Sequence, residues 1–179
     1  GMFPMRRRIA PLADFLRLLP RKGMLIVDDS YGLGFLGKGG RGSLSGAGIS
    51  DPRAVLTGSM AKALGAGGGF IASSTGTIER IRRRAEVYMG TTPISPAVAA
   101  GARAALQILE AEPERVRRLR AHAARLTPLA ERLGLEPGDG RGPVLPLPVE
   151  EAREGRRLER QLAAEGLYIP WIEYGGGSG

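Results

Sequence analysis

VLTGSMAKALGAGGGF, residues Val55–Phe70, reads as a short apolar strand that runs into a lysine and then into a series of glycines. Lys62 stands out because it is one of only three lysines among 26 basic residues, and its neighbours are Ala, Leu, Met and Gly. Apolar surroundings disfavour a charged amine, and an unprotonated amine attacks a carbonyl carbon to form a Schiff base. The pattern is also typical of a lysine at a strand end whose side chain extends to water. The segment therefore predicts a candidate nucleophile, with a solvated lysine as the alternative.

A second segment, Gly23–Gly32 (GMLIVDDSYG), reads as a buried parallel strand, since its continuous apolar residues end in two carboxylates. Ligands of open α/β sheets bind beyond the carboxyl ends of the strands. We therefore expect Asp28, Tyr31 and Lys62 to meet at one crevice. A carboxylate that keeps a pyridine nitrogen protonated, a phenol near a ring oxygen and a lysine that binds an aldehyde are the groups that pyridoxal 5'-phosphate requires.

Three runs carry a resemblance to a known family: IVDDSYGLGFLGKGGRG (Ile26–Gly42), TGSMAKALGAGGGF (Thr57–Phe70) and YMGTTPISPAVAAGA (Tyr88–Ala102). In order and spacing they resemble the pyridoxal-phosphate enzymes of fold type I, in the class I/II aminotransferase superfamily, nearest to the α-oxoamine synthases. The resemblance covers nearly the whole chain. It implies an α/β fold, in which part of a large domain with a mostly parallel sheet and helices is followed by the start of a small α+β domain.

The resemblance assigns roles to particular residues. It implies that Lys62 forms the Schiff base with the cofactor and that Asp28 pairs with the pyridine nitrogen. Ser59, three residues before the lysine, matches a position whose hydroxyl binds the cofactor phosphate. Thr91 or Thr92 matches a threonine that the family contributes to the phosphate site of the neighbouring subunit. The resemblance therefore implies a homodimer with shared active sites.

Tyr31 leaves the reaction type open, because the synthases mostly place a histidine at this position and many class I aminotransferases place a tyrosine. Either side chain can hydrogen-bond the phenolic oxygen of the cofactor. The first reading is a synthase that condenses an amino acid with an acyl-coenzyme A, with Lys62 as the proton carrier. The second is an aminotransferase that releases a keto acid, and the third is a non-catalytic subunit. The GFLGKGGRG and KALG runs favour the synthase, and the presence of Lys62 disfavours the third reading.

The resemblance also predicts the domain organisation. Residues 1–112 match the cofactor-binding large domain, 113–134 match a connecting helix and 135–179 match the beginning of the small carboxyl-terminal domain. Members of the family are considerably longer, and the arginine that takes the substrate carboxylate lies beyond the matching region. We therefore expect an internal fragment that is inactive by itself.

Composition disfavours several other classes of function. The formal net charge is +8, but arginines alternate with glutamates and aromatic residues are only 5% of the chain, so we expect no nucleic-acid binding. The chain has no cysteine and a single histidine, His122, which leaves little from which to build a metal site or a catalytic triad. No apolar run approaches the roughly 18 residues of a membrane helix, so we expect no membrane partner. The absence of cysteine agrees with a cytoplasmic location.

Periodicity and turn residues predict the remaining elements. Two prolines exclude a helix from Thr91–Pro96, and the glycine-rich segment Gly32–Gly48 reads as a flexible rim of the active site without a helix. Helices are predicted over 11–21, 77–88, 97–110, 113–133 and 150–165, where Pro128 can kink or split the fourth. Strands are predicted over 24–27, 55–59, 68–74, 142–149 and 167–172.

Overall fold

The computed structural model of the chain describes residues 1–135 and 142–173. It divides into two compact units, Gly1–Leu145 and Pro146–Gly179. In these described ranges no helix is long and apolar enough to span a membrane. The strands are β1 (Met2–Phe3), β2 (Arg8–Ile9), β3 (Leu25–Asp28), β4 (Ala54–Ser59) and β5 (Gly69–Ala72). The helices are α1 (Leu12–Leu18), α2 (Ser43–Gly46), α3 (Thr75–Arg84), α4 (Glu86–Gly90), α5 (Pro96–Ala111), α6 (Pro113–Ala124), α7 (Leu126–Arg132) and α8 (Ala152–Ala164).

A three-stranded sheet in the order β3-β4-β5 lies at the centre of the first unit. β3 and β4 are parallel, and Asp28 is paired with Thr57 near their carboxyl ends. β5 returns antiparallel to β4. Because β3 and β4 run in the same direction, the residues that follow each of them leave the sheet at the same edge.

Three apolar clusters pack around this sheet. One lies between α1 and β3, one between the glycine-rich segment and α6, and one between the turn after β4 and α5. The third cluster fixes the chain on both sides of Lys62. The buried members are Ala10, Leu12 and Val27 in the first cluster, Met2, Phe35, Leu36 and Ala123 in the second, and Met60, Leu64 and Ala102 in the third.

The glycine-rich segment Gly32–Gly48 is packed into the core, which corrects the prediction of a flexible rim without a helix. It contains a 3-10 turn and α2, and Phe35 and Leu36 are buried. Positive φ angles at Gly34 and Gly42 allow the chain to double back, so that the N–H of Gly42 donates to the carbonyl of Leu36 at 2.9 Å. The segment is therefore a folded support beside the strand ends.

The predicted long helix over 113–133 is two helices, α6 and α7, with Arg125 between them. In a continuous helix the ring of Pro128 would meet the carbonyl of Ala124, so α6 ends there. Pro128 is instead the third residue of α7, where an N–H would have no partner within the helix. The predicted helix over 77–88 is also divided, at Ala85, where the backbone is extended.

The second unit contains α8. The predictions of strands over 142–149 and 167–172 are wrong, because no described residue of either segment is in a strand. Three prolines in the first segment remove N–H donors that a ladder requires. In the second segment, the N–H of Trp171 donates to the Glu159 carboxylate at 3.2 Å, and the Trp171 ring covers Gly155, where a Cβ would overlap it. The segment thus packs on the side of α8. The assignment of 135–179 to a small domain stays a prediction, of which 136–141 and 174–179 lie outside the described residues.

A truncation in α1 tests how this helix is packed. Leu12 is 3% exposed and packs with Val27, so Leu12→Ala leaves a cavity, and we expect the free energy of unfolding to fall by about 2–5 kcal/mol. Leu18 on the same helix is 83% exposed, so Leu18→Ala serves as the matched control and changes that energy by less than about 0.5 kcal/mol. Urea denaturation followed by circular dichroism measures both variants. Equal losses would contradict the packing of α1 on β3.

Candidate active site

Lys62 and Tyr31 meet at the carboxyl edge of β3 and β4. The Nζ atom of Lys62 lies 3.8 Å from the centre of the Tyr31 ring, which is a cation–π contact. The Tyr31 ring packs at the same time against the cluster that contains Phe35 and Leu36. Asp28, the last residue of β3, is close enough for the charge of Lys62 to affect its pKa. Lys62 thus lies near both Tyr31 and Asp28, but Asp28 lines a different opening from the other two, which differs from the single crevice that the sequence predicted.

The Lys62 side chain is exposed, which corrects the expectation that apolar neighbours desolvate its ammonium group. Met60 and Leu64 are each only 6% exposed, and they pack with Ala102 of α5. The apolar residues of the run thus face α5, whereas Lys62 faces solvent and the Tyr31 ring. The position of the Lys62 amine is therefore set by its contact with the Tyr31 ring and not by burial.

Asp28 carries an ionised carboxylate at this edge. The N–H of Ser30 donates to Asp28 Oδ1 at 2.9 Å. Hydrogen bonds from the backbone and the side chain of Ser30 lower the pKa of Asp28 below its ordinary value. Burial opposes this effect, and the charge of Lys62 lowers the pKa further. A carboxylate that stays ionised can keep a nearby pyridine nitrogen protonated.

Ser30 is a site residue that sequence reasoning missed. Its Oγ accepts a hydrogen bond from the N–H of Ser59 at 3.0 Å, so it connects the ends of β3 and β4. Ser59 Oγ in turn accepts from the N–H of Ala61 at 3.1 Å, which leaves the hydroxyl hydrogen available for an anion. A signal existed in the sequence, because Asp-x-Ser is a pattern in which the carboxylate accepts the N–H two residues later.

Two openings flank these side chains. Asp28, Ser30 and Ser59 line one of about 640 Å³, together with backbone of the glycines at 58, 68 and 69. Tyr31 and Lys62 line the other, of about 360 Å³, whose remaining walls are mostly apolar. A larger opening of about 1000 Å³ lies between the glycine-rich segment and α6, but none of the predicted site residues lines it. We therefore place the candidate site at the strand ends.

Thr91 and Thr92 lie on the exposed segment between α4 and α5, and within the described part of the chain they line neither opening at the strand ends. The hydroxyl of Thr91 donates to the carbonyl of Val87. The segment passes beside the site through Ile94, because a Cβ on Gly68 would lie 3.0 Å from Ile94 Cγ2. The structure of one chain does not bring either threonine to Lys62.

The groups at the strand ends fit pyridoxal phosphate. The ionised Asp28 suits the ring nitrogen, the Lys62 amine suits the aldehyde and the Ser59 hydroxyl suits the phosphate. Gly58 presents backbone alone to the opening beside it, because a Cβ there would overlap the Phe70 ring that lines the same opening. Among residues 1–135 and 142–173, no group of three His, Cys, Asp or Glu side chains is arranged to hold a metal ion.

Comparisons with known proteins show the family to which the chain belongs. The family model described as aminotransferase class I and II matches residues 7–176. The chain belongs to this aminotransferase family. It is 38% identical over 174 residues to 8-amino-7-oxononanoate synthase from Methylococcus capsulatus, and the match covers 96% of the chain and 45% of that relative. This member of the class I and II family thus spans about half the length of the curated relatives that it matches.

Solved structures show the same fold for this aminotransferase-family chain. Serine palmitoyltransferase from S. paucimobilis, with a bound PLP–myriocin aldimine, superposes with a TM-score of 0.84 at 24% identity, over 96% of this chain and 45% of the other. 8-Amino-7-oxononanoate synthase from Francisella tularensis gives a TM-score of 0.76 at 22% identity, over 97% and 52%. Pyridoxal phosphate is the cofactor of the family. The predicted family, fold class and cofactor are therefore confirmed.

Ser30→Ala tests the electrostatics of Asp28. The substitution removes a hydroxyl that lowers the pKa of Asp28 and keeps the backbone N–H, so we expect this pKa to rise towards its ordinary value without reaching it. Asp28 then takes up its proton at a higher pH than in the parent. A carboxyl ¹³C NMR titration measures the change. Asp51 is the internal control, because Arg53 lowers its pKa independently of Ser30. An unchanged titration of Asp28 would contradict this account.

Proposed function

We propose that the complete protein is a pyridoxal-phosphate-dependent acyltransferase of the α-oxoamine synthase type, which condenses an amino acid with an acyl-coenzyme A. The observation that carries the proposal is the Lys62 amine seated over the Tyr31 ring beside the ionised Asp28. The identity of 38% and 37% to proteins named 8-amino-7-oxononanoate synthase supports this type of reaction. A cytoplasmic location stays a prediction from the cysteine-free sequence.

Each side chain has a separate task in this proposal. When bound, pyridoxal phosphate supplies an aldehyde and a cationic ring that withdraws electrons from the substrate Cα. Asp28 keeps the ring nitrogen protonated, because its carboxylate stays ionised at neutral pH. Lys62 would hold the cofactor at its aldehyde carbon and, with the substrate bound, would move the proton at Cα. Ser59 donates its hydroxyl hydrogen to the cofactor phosphate.

Tyr31 has two tasks, and it also supports the second candidate function. Its ring holds the Lys62 ammonium group at the strand end. We assign its hydroxyl to the ring oxygen of the cofactor. A class I aminotransferase is the second candidate, because tyrosine stands at this position where the synthases mostly have histidine.

The proposal includes a homodimer whose active sites are shared. Val87, Tyr88 and Met89 of α4 are 78%, 61% and 79% exposed, and they lie next to Thr91 and Thr92. Contiguous exposed apolar side chains are typical of a protein interface. An interface over α4 would carry the two threonines towards the phosphate site of the second copy.

Product analysis tests the reaction type. The complete protein, loaded with pyridoxal phosphate, is mixed with single amino acids, with and without acyl-coenzyme A. We expect free thiol only when both substrates are present. We expect Lys62→Ala to lower the rate of thiol release by roughly 10²–10⁴-fold, because the proton carrier is lost. Lys22→Ala is the matched control, an exposed lysine outside the site, and retains the parent rate. A keto acid formed without coenzyme A would select the aminotransferase, and neither product would contradict both functions.

Mixing two inactive variants tests the shared site. We expect a variant that carries both Thr91→Ala and Thr92→Ala, and separately Lys62→Ala, to be inactive. When the two proteins exchange subunits, each mixed dimer contains one site with both an intact lysine and intact threonines. Statistical pairing then restores roughly a quarter of the parent activity. No recovery after verified subunit exchange would show that the threonines act within their own chain.

A further inference from the structure

Asp29 follows Asp28 directly, but its side chain has the opposite environment. The Asp28 side chain is exposed at the candidate site, whereas Asp29 is 0% exposed. Neighbouring residues of an extended chain point to opposite faces, so the two carboxylates separate at the end of β3. The roles assigned above to the site residues leave Asp29 without a task.

Asp29 connects three segments around the site. Its carboxylate Oδ2 accepts the N–H of Ser43, the first residue of α2, at 2.6 Å. Its backbone N–H donates to the carbonyl of Thr57 in β4 at 2.8 Å. Its carbonyl accepts the N–H groups of Gly32 and Leu33, both at 3.0 Å. One residue thus joins β4, the turn that contains Tyr31 and the start of α2.

Two glycines leave room for this carboxylate. A Cβ built on Gly32 would overlap Asp29 Oδ1, and one built on Gly42 would overlap Oδ2. Gly32 does not have a positive φ angle, so the carboxylate, and not the backbone conformation, is what excludes a side chain there. The carboxylate therefore packs against both ends of the segment between Gly32 and Gly42.

The arrangement leaves polar atoms uncompensated. In the described ranges of the chain, Asp29 Oδ1 and Ser43 Oγ are buried without a hydrogen-bond partner. A buried carboxylate oxygen without a donor is unfavourable, and an apolar residue would avoid this cost. A buried polar group of this kind warrants an explanation, and the contacts of the carboxylate to α2 and to the two glycines supply one.

We propose that Asp29 is a positioning residue, whose carboxylate holds the turn that contains Ser30 and Tyr31 against the start of α2 and so keeps these two residues beside Ser59 and Lys62. The inference rests on the proposed function in that the side chains it positions are those assigned to the cofactor. Asp29 itself touches neither the cofactor nor the substrate. Loss of its carboxylate loosens the turn, so the Tyr31 ring no longer holds the Lys62 amine in one place.

A double-mutant cycle in the complete protein tests the contact between the Asp29 carboxylate and Gly32. We expect Gly32→Ala and Asp29→Ala each to weaken binding of pyridoxal phosphate at least about tenfold, as measured by absorbance titration. We expect the affinity of the double variant for pyridoxal phosphate to be no lower than that of the single variant with the lower affinity. The methyl group added at position 32 occupies the space that the carboxylate vacates. Gly76→Ala in α3 is the matched control, since nothing lies within 4 Å of a Cβ at that position, and binds as the parent does. Fully additive losses would overturn the proposal.

Two further readouts separate positioning from a general loss of folding. Asp29→Asn keeps the volume and an acceptor for the Ser43 N–H, so we expect cofactor binding within about threefold of the parent. The absorbance band of the bound cofactor changes with pH, and we expect the midpoint of this change in Asp29→Ala to differ from that of the parent. A smaller folded fraction alone would not move the midpoint. Wild-type titration behaviour in Asp29→Ala would overturn the proposal.

Hydrogen exchange keeps the test independent of the proposed function. In Asp29→Ala we expect faster exchange at the amides of Gly32, Leu33 and Ser43, with unchanged exchange at the paired amides of β5. If the protein binds no pyridoxal phosphate but shows this exchange pattern, the proposed function is contradicted and the positioning role of Asp29 is supported. Unchanged exchange at the three amides would overturn the positioning role, whatever the cofactor does.

Discussion

The parallel hydrogen bonding of β3 and β4 is the constraint on which the candidate site depends. It pairs Asp28 with Thr57 and continues past the strand through the N–H of Asp29 to the carbonyl of Thr57. Because both strands end at the same edge, a carboxylate from one and a lysine from the turn after the other become neighbours across more than thirty residues of sequence. The Ser30–Ser59 hydrogen bond and the contact of Lys62 with Tyr31 follow from this pairing.

Two adjacent carboxylates divide the work at the end of β3. Asp28 is exposed, hydrogen-bonded by Ser30 and ionised, so it is available to a cationic ring. Asp29 is buried and joins the turn, β4 and α2, so it is available to nothing outside the chain. One carboxylate is thus exposed at the candidate site and the next packs inside the protein. The reason is that successive side chains of an extended backbone point to opposite faces.

The packed glycine-rich segment shows why local sequence reasoning reached its limit there. Glycines indicate a loop, but they do not show what the loop folds onto. Phe35 and Leu36 are buried because α6 lies beside them, and Arg120 of that helix donates to the carbonyls of Phe35 at 2.7 Å and Gly37 at 2.5 Å. The exposure of Lys62 has the same origin, since α5 takes up Met60 and Leu64 and leaves the lysine outside. Both outcomes depend on helices that come much later in the sequence.

The sequence by itself determined the strand that ends in Asp28, because a continuous apolar run and its terminal residues are local signals. The family and the cofactor followed from the resemblance of three motifs to the fold type I enzymes. It did not show the absence of strands at 142–149 and 167–172 in the described chain, or the hydrogen bonds that Ser30 makes to Asp28 and Ser59. Only the tertiary structure decided which carboxylate faces the site and which is buried, and which residue holds the lysine. Those outcomes depend on contacts between segments distant in sequence, and no pattern within a single segment contains them.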